Sequence, residues 1–143
     1  AEVVIDGPNG TREMAIADFQ IDAFTVALEA GEVLRGFRVP ILSDAARWGY
    51  HKISRKPGDF ADSIGAFVCD SRSGVARLVL GATDGAPLQL NAIASTIAET
   101  NGAGFDIEAA RAALAETEET FEPFKARMHA LALQRAVADA YKT

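Results

Sequence analysis

The chain has 143 residues, of which 49% are hydrophobic and 24% charged, a balance typical of a folded domain rather than a disordered tail. Its formal net charge of −6 argues against a protein that binds nucleic acid by neutralising phosphates. One cysteine, Cys69, excludes an intrachain disulfide, and no apolar run is long enough for a membrane-spanning helix. We therefore expect a soluble protein of the cytoplasm.

Two short strands are predicted at the start of the chain. The segments EVVI and TREMAI flank the turn GPNG, whose Gly and Asn residues tolerate the positive φ angles of a tight hairpin. A first strand with no partner before it predicts that its sheet neighbours lie upstream. Residues 22–31 have a mixed composition and predict irregular structure.

The alternating segment Glu32 to Ile41 predicts a strand that ends at Pro40, because proline cannot continue the hydrogen-bonded ladder. Another strand is predicted over residues 48–55. Simple alternation in the first of these puts four residues on one face, namely Val33, Arg35, Phe37 and Val39. Residues 62–69 and 75–82 form the clearest hairpin, closed by the polar turn DSRSG. Strands that follow one another so closely favour antiparallel pairing.

Three helices are predicted in the second half of the chain. The first covers 88–100, the second is capped by Asp106 and extends to about Thr117, and the third covers 121–141. Apolar residues near helical spacing predict the buried stripe of the third helix, namely Phe121, Phe124, Met128, Leu131, Val137 and Tyr141. Strands followed by helices predict an α+β fold, with three helices packed on one face of an antiparallel sheet.

Residues 45–58 carry a positive charge, opposite in sign to the net charge of the chain. They contain four lysines or arginines, His51 and two aromatic residues, Trp48 and Tyr50, but no acid. One interpretation is a site for a planar anionic ligand, because cations supply charge and aromatic rings supply stacking area. The other is a solvated strand edge protected by positive charge, which composition alone favours.

Other candidate sites are weaker. His51 and His129 are far apart in sequence and lack a cysteine or carboxylate at metal-ligand spacing, so we predict no metal site. Cys69 alternates with apolar residues and is predicted to pack in the core. No residue pattern indicates a catalytic group.

The segment YHKISRKPGDFA, residues 50–61, resembles the flavoprotein subunits of molybdenum hydroxylases of the carbon monoxide dehydrogenase and xanthine dehydrogenase type. The family motif matches Val39-Pro40, Tyr50 with Lys52, Arg55-Lys56, and Asp59 to Ala61. The resemblance continues through the hairpin, the segment GATDGAPLQL and the helices. It therefore covers essentially the whole chain.

This resemblance implies the C-terminal part of an FAD-binding electron-transfer subunit. Residues 1–31 would end the FAD-binding domain and linker, and residues 32–143 would form the C-terminal domain. The Gly-rich loops that cradle FAD belong to the family's N-terminal domain, which is absent here. Molybdopterin and iron–sulfur clusters would lie on partner subunits, a molybdenum-cofactor subunit and an iron–sulfur subunit. The isolated chain is expected to hold no stable FAD and to be inactive.

The resemblance also assigns site residues. Leu34 matches a family position that touches the flavin, and Tyr50 and Lys52 match the segment beside the isoalloxazine ring. A lysine there would favour the negatively charged reduced ring. The alternative function is a non-enzymatic subunit-docking or assembly module that kept the fold.

Overall fold

The computed structural model describes residues 1–142, which form two compact units. The first unit comprises residues 1–41 and 84–87, and the second comprises the described residues of 42–83 and 88–142. Strands precede helices in the second unit, and the strands pair antiparallel. The predicted α+β class is thereby confirmed.

The first unit is built mainly from strands. Its elements are β1 (Glu2–Gly7), β2 (Gly10–Ala15), α1 (Ile16–Phe19), β3 (Gln20–Asp22), β4 (Thr25–Val26) and β5 (Val33–Arg38). The predicted β1–β2 hairpin is confirmed. However, β1 lies between β2 and β5 in a three-stranded sheet. Both neighbours of β1 therefore come from this chain, which corrects the expectation that its partners lie upstream.

A β-bulge changes the predicted faces of β5. Gly36 pairs with Val4 and Leu34 pairs with Ile5, so Arg35 is an extra residue without a partner in β1. The alternation shifts at this point, and Leu34 lies on the same face as the buried Ile5. The single face predicted for Val33, Arg35, Phe37 and Val39 is therefore wrong.

An ion pair joins β2 to the start of β5. The Nε and Nη2 atoms of Arg12 donate to the two carboxylate oxygens of Glu32 at 2.6 and 2.7 Å, and the Glu29 N–H donates to Glu32 at 2.7 Å. These hydrogen bonds, that from Arg12 above all, lower the pKa of Glu32 to about 2. The charged carboxylate is thus stabilised in the folded state.

Replacing Glu32 with glutamine is expected to destabilise the first unit at neutral pH and to reduce its sensitivity to acid. Because the folded-state pKa is depressed, the stabilisation is complete above the ordinary pKa and is lost as pH falls toward about 2. Thermal unfolding followed from about pH 7 to about pH 2, across the range in which carboxyl groups titrate, measures this effect. Glu29→Gln, at an exposed side chain, is the matched control. If the thermal stability of wild type and of Glu32→Gln fell equally with pH, the lowered pKa of Glu32 would be contradicted.

The second unit has a four-stranded sheet and three helices. Its elements are β6 (Arg47–Ile53), β7 (Ser63–Asp70), β8 (Val75–Gly81), β9 (Leu88–Gln89), α2 (Asn91–Glu99), α3 (Ile107–Ala115) and α4 (Pro123–Ala140). The strand order is β6-β7-β8-β9, with every neighbouring pair antiparallel. The predicted hairpin is β7–β8. The first predicted helix begins later than expected, because residues 88–89 pair with β8 instead.

The helices lie on one face of this sheet. Helix α4 packs on β6 and β7, α2 packs on β8, and α3 packs on α4. The core between them contains Phe67 of β7, Leu78 and Leu80 of β8, and Leu133 of α4. Asp106 caps α3, as predicted, by accepting hydrogen bonds from the N–H groups of Glu108 and Ala109 at 3.0 and 2.9 Å.

The buried stripe of α4 differs from the prediction. Phe124 is 79% exposed, and Met128 and Leu131 are only half-buried. The buried residues are mostly small, namely His129, Ala130, Ala132, Leu133, Ala136, Val137 and Ala140. The reason is a close approach, because Gly49 and Gly65 bring the backbones of β6 and β7 against α4. Large side chains do not fit at such a contact.

Candidate functional site

The face of the second unit's sheet opposite its helices carries three rows of side chains. Each row crosses β6, β7 and β8 in that order. The three rows are Trp48–Val68–Arg77, Tyr50–Ala66–Val79 and Lys52–Ile64–Gly81. Within the second unit, α2, α3 and α4 all pack on the other side. We call these nine residues the open face.

Tyr50 and Lys52 are brought together on the open face. They are two residues apart on β6, so their side chains leave the sheet on the same side. Tyr50 is 51% exposed, and Lys52 is also exposed. The Lys52 ammonium donates to the Asp59 carbonyl oxygen, which holds it near the loop that follows β6. The pair therefore places an aromatic ring beside a cation.

The other basic residues of the 45–58 segment point elsewhere. The Arg47 guanidinium lies 5.8 Å from the centre of the Tyr141 ring, on the helix side. His51 accepts a hydrogen bond through Nε2 from Arg135 at 3.2 Å, while its Nδ1 lies 3.8 Å from Asp139. Arg55 and Lys56 are exposed in the loop after β6. The basic run is therefore not one patch, and on β6 only Lys52 contributes a cation to the open face.

Leu34 lies in the first unit, whereas Tyr50 and Lys52 lie in the second. Leu34 is half-buried and packs against the small core formed by Val3, Ile5 and Phe19. Its contact with a flavin stays a prediction.

Two buried polar contacts escaped the sequence analysis. Ser63 Oγ and His129 Nδ1 share a hydrogen bond of 2.7 Å, and both residues are fully buried. His129 also meets Phe121 edge to face, with ring centres 4.8 Å apart. The sequence suggested no role for His129 beyond a metal ligand, which its spacing argued against, and no local pattern links it to Ser63.

The second of these contacts fixes the chain before β6. The Asp70 carboxylate accepts hydrogen bonds from the Ser43 N–H at 2.9 Å, the Ser43 hydroxyl at 2.7 Å and the Arg72 N–H at 3.0 Å. The hydrogen bonds from Ser43 hold the pKa of Asp70 well below its usual range. This network connects β7 to the segment that leads into β6.

A cavity of about 320 Å³ lies on the helix side of the sheet, lined in part by Arg47, Cys69 and Tyr141. The Tyr141 hydroxyl lies 3.3 Å from the Cys69 sulfur. Burial raises the pKa of Tyr141. Cys69 is buried, in agreement with its predicted place in the core.

Residues 1–142 hold neither a cluster of metal-ligating side chains nor a helix that could cross a membrane. They hold no group of three His, Cys, Asp or Glu side chains that could bind a metal ion. None of their helices is both long and apolar enough to cross a membrane.

Relatives in sequence are carbon monoxide dehydrogenase medium chains. The protein from Hydrogenophaga pseudoflava is 35% identical over 92 residues, which are 63% of this chain and 32% of the relative. The protein from Afipia carboxidovorans is 34% identical over 70 residues, which are 49% of this chain and 24% of the relative. No protein-family model matches the chain. The matched region thus spans 32% of the length of the first relative and 24% of the length of the second.

Solved structures extend the similarity to 98% of the chain. Carbon monoxide dehydrogenase from Hydrogenophaga pseudoflava, described as lacking the Mo-pyranopterin moiety of its molybdenum cofactor, matches with 28% identity and a TM-score of 0.76. Reconstituted carbon monoxide dehydrogenase from Oligotropha carboxidovorans matches with 26% identity and a TM-score of 0.76. This chain spans 52% of the length of each matched chain. The chain is therefore similar, over nearly all of its own length and about half of theirs, to carbon monoxide dehydrogenase medium chains, and its coverage fits their C-terminal domain.

Proposed function

We propose that this chain is the C-terminal part of the FAD-binding electron-transfer subunit of a molybdenum hydroxylase, and that its open face helps to cover the flavin. Tyr50 and Lys52 contact the isoalloxazine ring, and Leu34 of the first unit supplies a further contact. The observation that carries this proposal is the pairing of an exposed aromatic ring with a cation beside the apolar residues Ile64, Ala66 and Val68 of the open face.

The open face fits one wall of a flavin site. Ile64, Ala66, Val68 and Val79 supply apolar surface without charge, on which a planar ring can lie. Tyr50 adds an aromatic surface for stacking. Lys52 adds a donor and a positive charge at one end, suited to the polar edge of the ring.

Bound FAD would accept electrons delivered from iron–sulfur clusters and pass them to an external acceptor. Tyr50 orients the ring and limits access of water to it, and Lys52 stabilises negative charge. Neither residue forms a covalent bond or transfers a proton in this scheme. The chain thus contributes binding and electrostatics, and we assign it no catalytic residue.

The remaining parts of the site belong to other segments and subunits in this proposal. Residues 1–31 end an FAD-binding domain that holds most of the FAD, and residues 32–143 form the C-terminal domain. A molybdenum-cofactor subunit and an iron–sulfur subunit are the partners, and the assembly works in the cytoplasm. The chain alone is then inactive.

The proposal is tested by the absorbance spectrum of the complete subunit that contains this chain, purified with its partner subunits. We expect flavin bands that persist through purification, and a weaker retention of FAD in Tyr50→Ala. Loss of a stacking ring costs about 0.5 to 1.5 kcal/mol, so the dissociation constant should rise roughly 2- to 12-fold. Phe124→Ala, at an exposed aromatic residue of α4, is the matched control and should bind FAD as the wild type does.

The alternative function is a docking module without a cofactor role. In that case the assembled complex would form, but Tyr50→Ala and Lys52→Ala would leave the flavin spectrum and turnover unchanged. A complete subunit without flavin would exclude the proposed function altogether.

A further inference from the structure

Trp48 is a large aromatic side chain that the folded core does not use. It is the only tryptophan of the sequence and is 71% exposed. Its neighbour Gly49 points to the helix side, where it is buried against α4. The indole therefore stands on the open face, two residues before Tyr50.

Trp48, Tyr50 and Lys52 form one row along β6. At about 3.3 Å per residue, the row extends roughly 13 Å from Trp48 to Lys52. The tricyclic ring of a flavin fits within that length. β6 is also an edge strand of its sheet, so among residues 42–83 and 88–142 no further strand pairs with it on its outer side.

The residues beside the row on β7 are apolar. Val68, Ala66 and Ile64 are the respective partners of Trp48, Tyr50 and Lys52. Ala66, the smallest of them, is the partner of Tyr50 in the middle of the row. The nearest cation in sequence, Arg47, lies over Tyr141 on the helix side and therefore does not stack on Trp48.

The two ends of the row differ chemically in the way that the two ends of an isoalloxazine ring differ. Lys52 offers a charged donor, which suits the pyrimidine end with its carbonyl oxygens and developing negative charge. Trp48 offers only a broad apolar surface and an N–H, which suits the benzenoid end. A ring lying along β6 would satisfy both ends at once.

We propose that Trp48 is a further flavin-contacting residue, which packs against the benzenoid end of the ring while Lys52 faces the pyrimidine end. The proposal rests on the function proposed above and specifies the direction in which the ring lies along β6. It makes Trp48 a binding residue and not a catalytic one.

The test uses the complete subunit with its FAD and compares Trp48→Phe, Trp48→Ala and the control Phe124→Ala. An indole in contact with a flavin quenches its fluorescence, so both Trp48 variants should lengthen the fluorescence lifetime of the bound flavin. Trp48→Ala should also raise the FAD dissociation constant roughly 3- to 10-fold, whereas Trp48→Phe keeps an aromatic surface and should stay within about 2-fold. Phe124→Ala should change neither quantity.

Three outcomes would overturn the assignment. Suppose that Tyr50→Ala weakens FAD binding and Lys52→Gln shifts the flavin potential, but that both Trp48 variants leave the fluorescence lifetime and the FAD dissociation constant unchanged. Trp48 then lies away from the ring, and only this inference fails. If Trp48→Ala weakens subunit assembly with the flavin unaffected, Trp48 contacts a partner protein. A wild-type subunit that binds no flavin would overturn this inference together with the proposed function.

Discussion

Replacing Gly49 with alanine is expected to destabilise the second unit by about 3 kcal/mol or more, the upper end of the range for overpacked sites. A Cβ atom at this position would overlap the carbonyl oxygen of Ala136 and lie 2.7 Å from the amide nitrogen of Ala140. Both are backbone atoms of α4 and cannot rotate away. The helix would have to move off the sheet, and the core between them would open.

Gly65 provides the same contact on the neighbouring strand. A Cβ atom there would overlap the Ala132 carbonyl oxygen and lie 2.8 Å from the Leu133 amide nitrogen. Gly65→Ala should therefore destabilise the unit as strongly as Gly49→Ala. The two effects should not add, because the first substitution already separates α4 from the sheet.

Denaturant unfolding of the chain followed by circular dichroism measures these losses. Gly81→Ala is the matched control, because Gly81 is on the same sheet, but its added Cβ would meet only the Ile64 side chain, at 3.4 Å or more. We expect its free energy of unfolding to differ little from that of the wild type. A Gly49→Ala variant as stable as Gly81→Ala would disprove the close backbone contact between β6 and α4.

Replacing Lys52 with glutamine is expected to lower the midpoint potential of the flavin in the complete subunit. On the proposed function, the ammonium group favours the anionic reduced ring, so its removal makes reduction harder. At about 4 Å, the attraction is roughly 1 kcal/mol in water and roughly 4 kcal/mol at an effective dielectric constant near 20. For a two-electron couple this corresponds to a decrease of roughly 20 to 90 mV.

The exposure of Lys52 favours the lower part of that range and makes the shift depend on salt. Spectroelectrochemical titration measures it at low and high ionic strength. Lys125→Gln on α4 is the matched control, since it removes the same charge from the helix layer on the other side of the sheet. A potential that is equal in the wild type and Lys52→Gln at low salt would show that the ammonium group does not face the ring.

Local patterns in the sequence predicted the elements of the second unit well. Period-two alternation around the turn DSRSG identified β7 and β8, and Asp106 marked the start of α3. These signals act between residues close in sequence, so a single chain carries them completely. The α+β class followed from the order of strands and helices, and the motif at residues 50–61 indicated the family.

Contacts between distant residues decided what these patterns left open. The predicted stripe of large residues on α4 failed because Gly49 and Gly65 bring the sheet too close for it. The bulge at Arg35 depends on the pairing of β5 with β1, which is roughly thirty residues away in sequence, so no local pattern predicts it. Leu34, one of three predicted site residues, therefore lies over the core of the first unit.

The sequence by itself determined which residues alternate along β6, and hence that Trp48, Tyr50 and Lys52 share a face, because strand periodicity is a local property. It could not determine whether that face is covered. Only the tertiary structure decided on which face the helices of the second unit lie, by placing α4 against Gly49 on the side opposite Trp48, Tyr50 and Lys52. It also separated Lys52 from Arg47 and His51, although the sequence presents all three in one basic run. Arg47 and His51 contact residues near the end of α4.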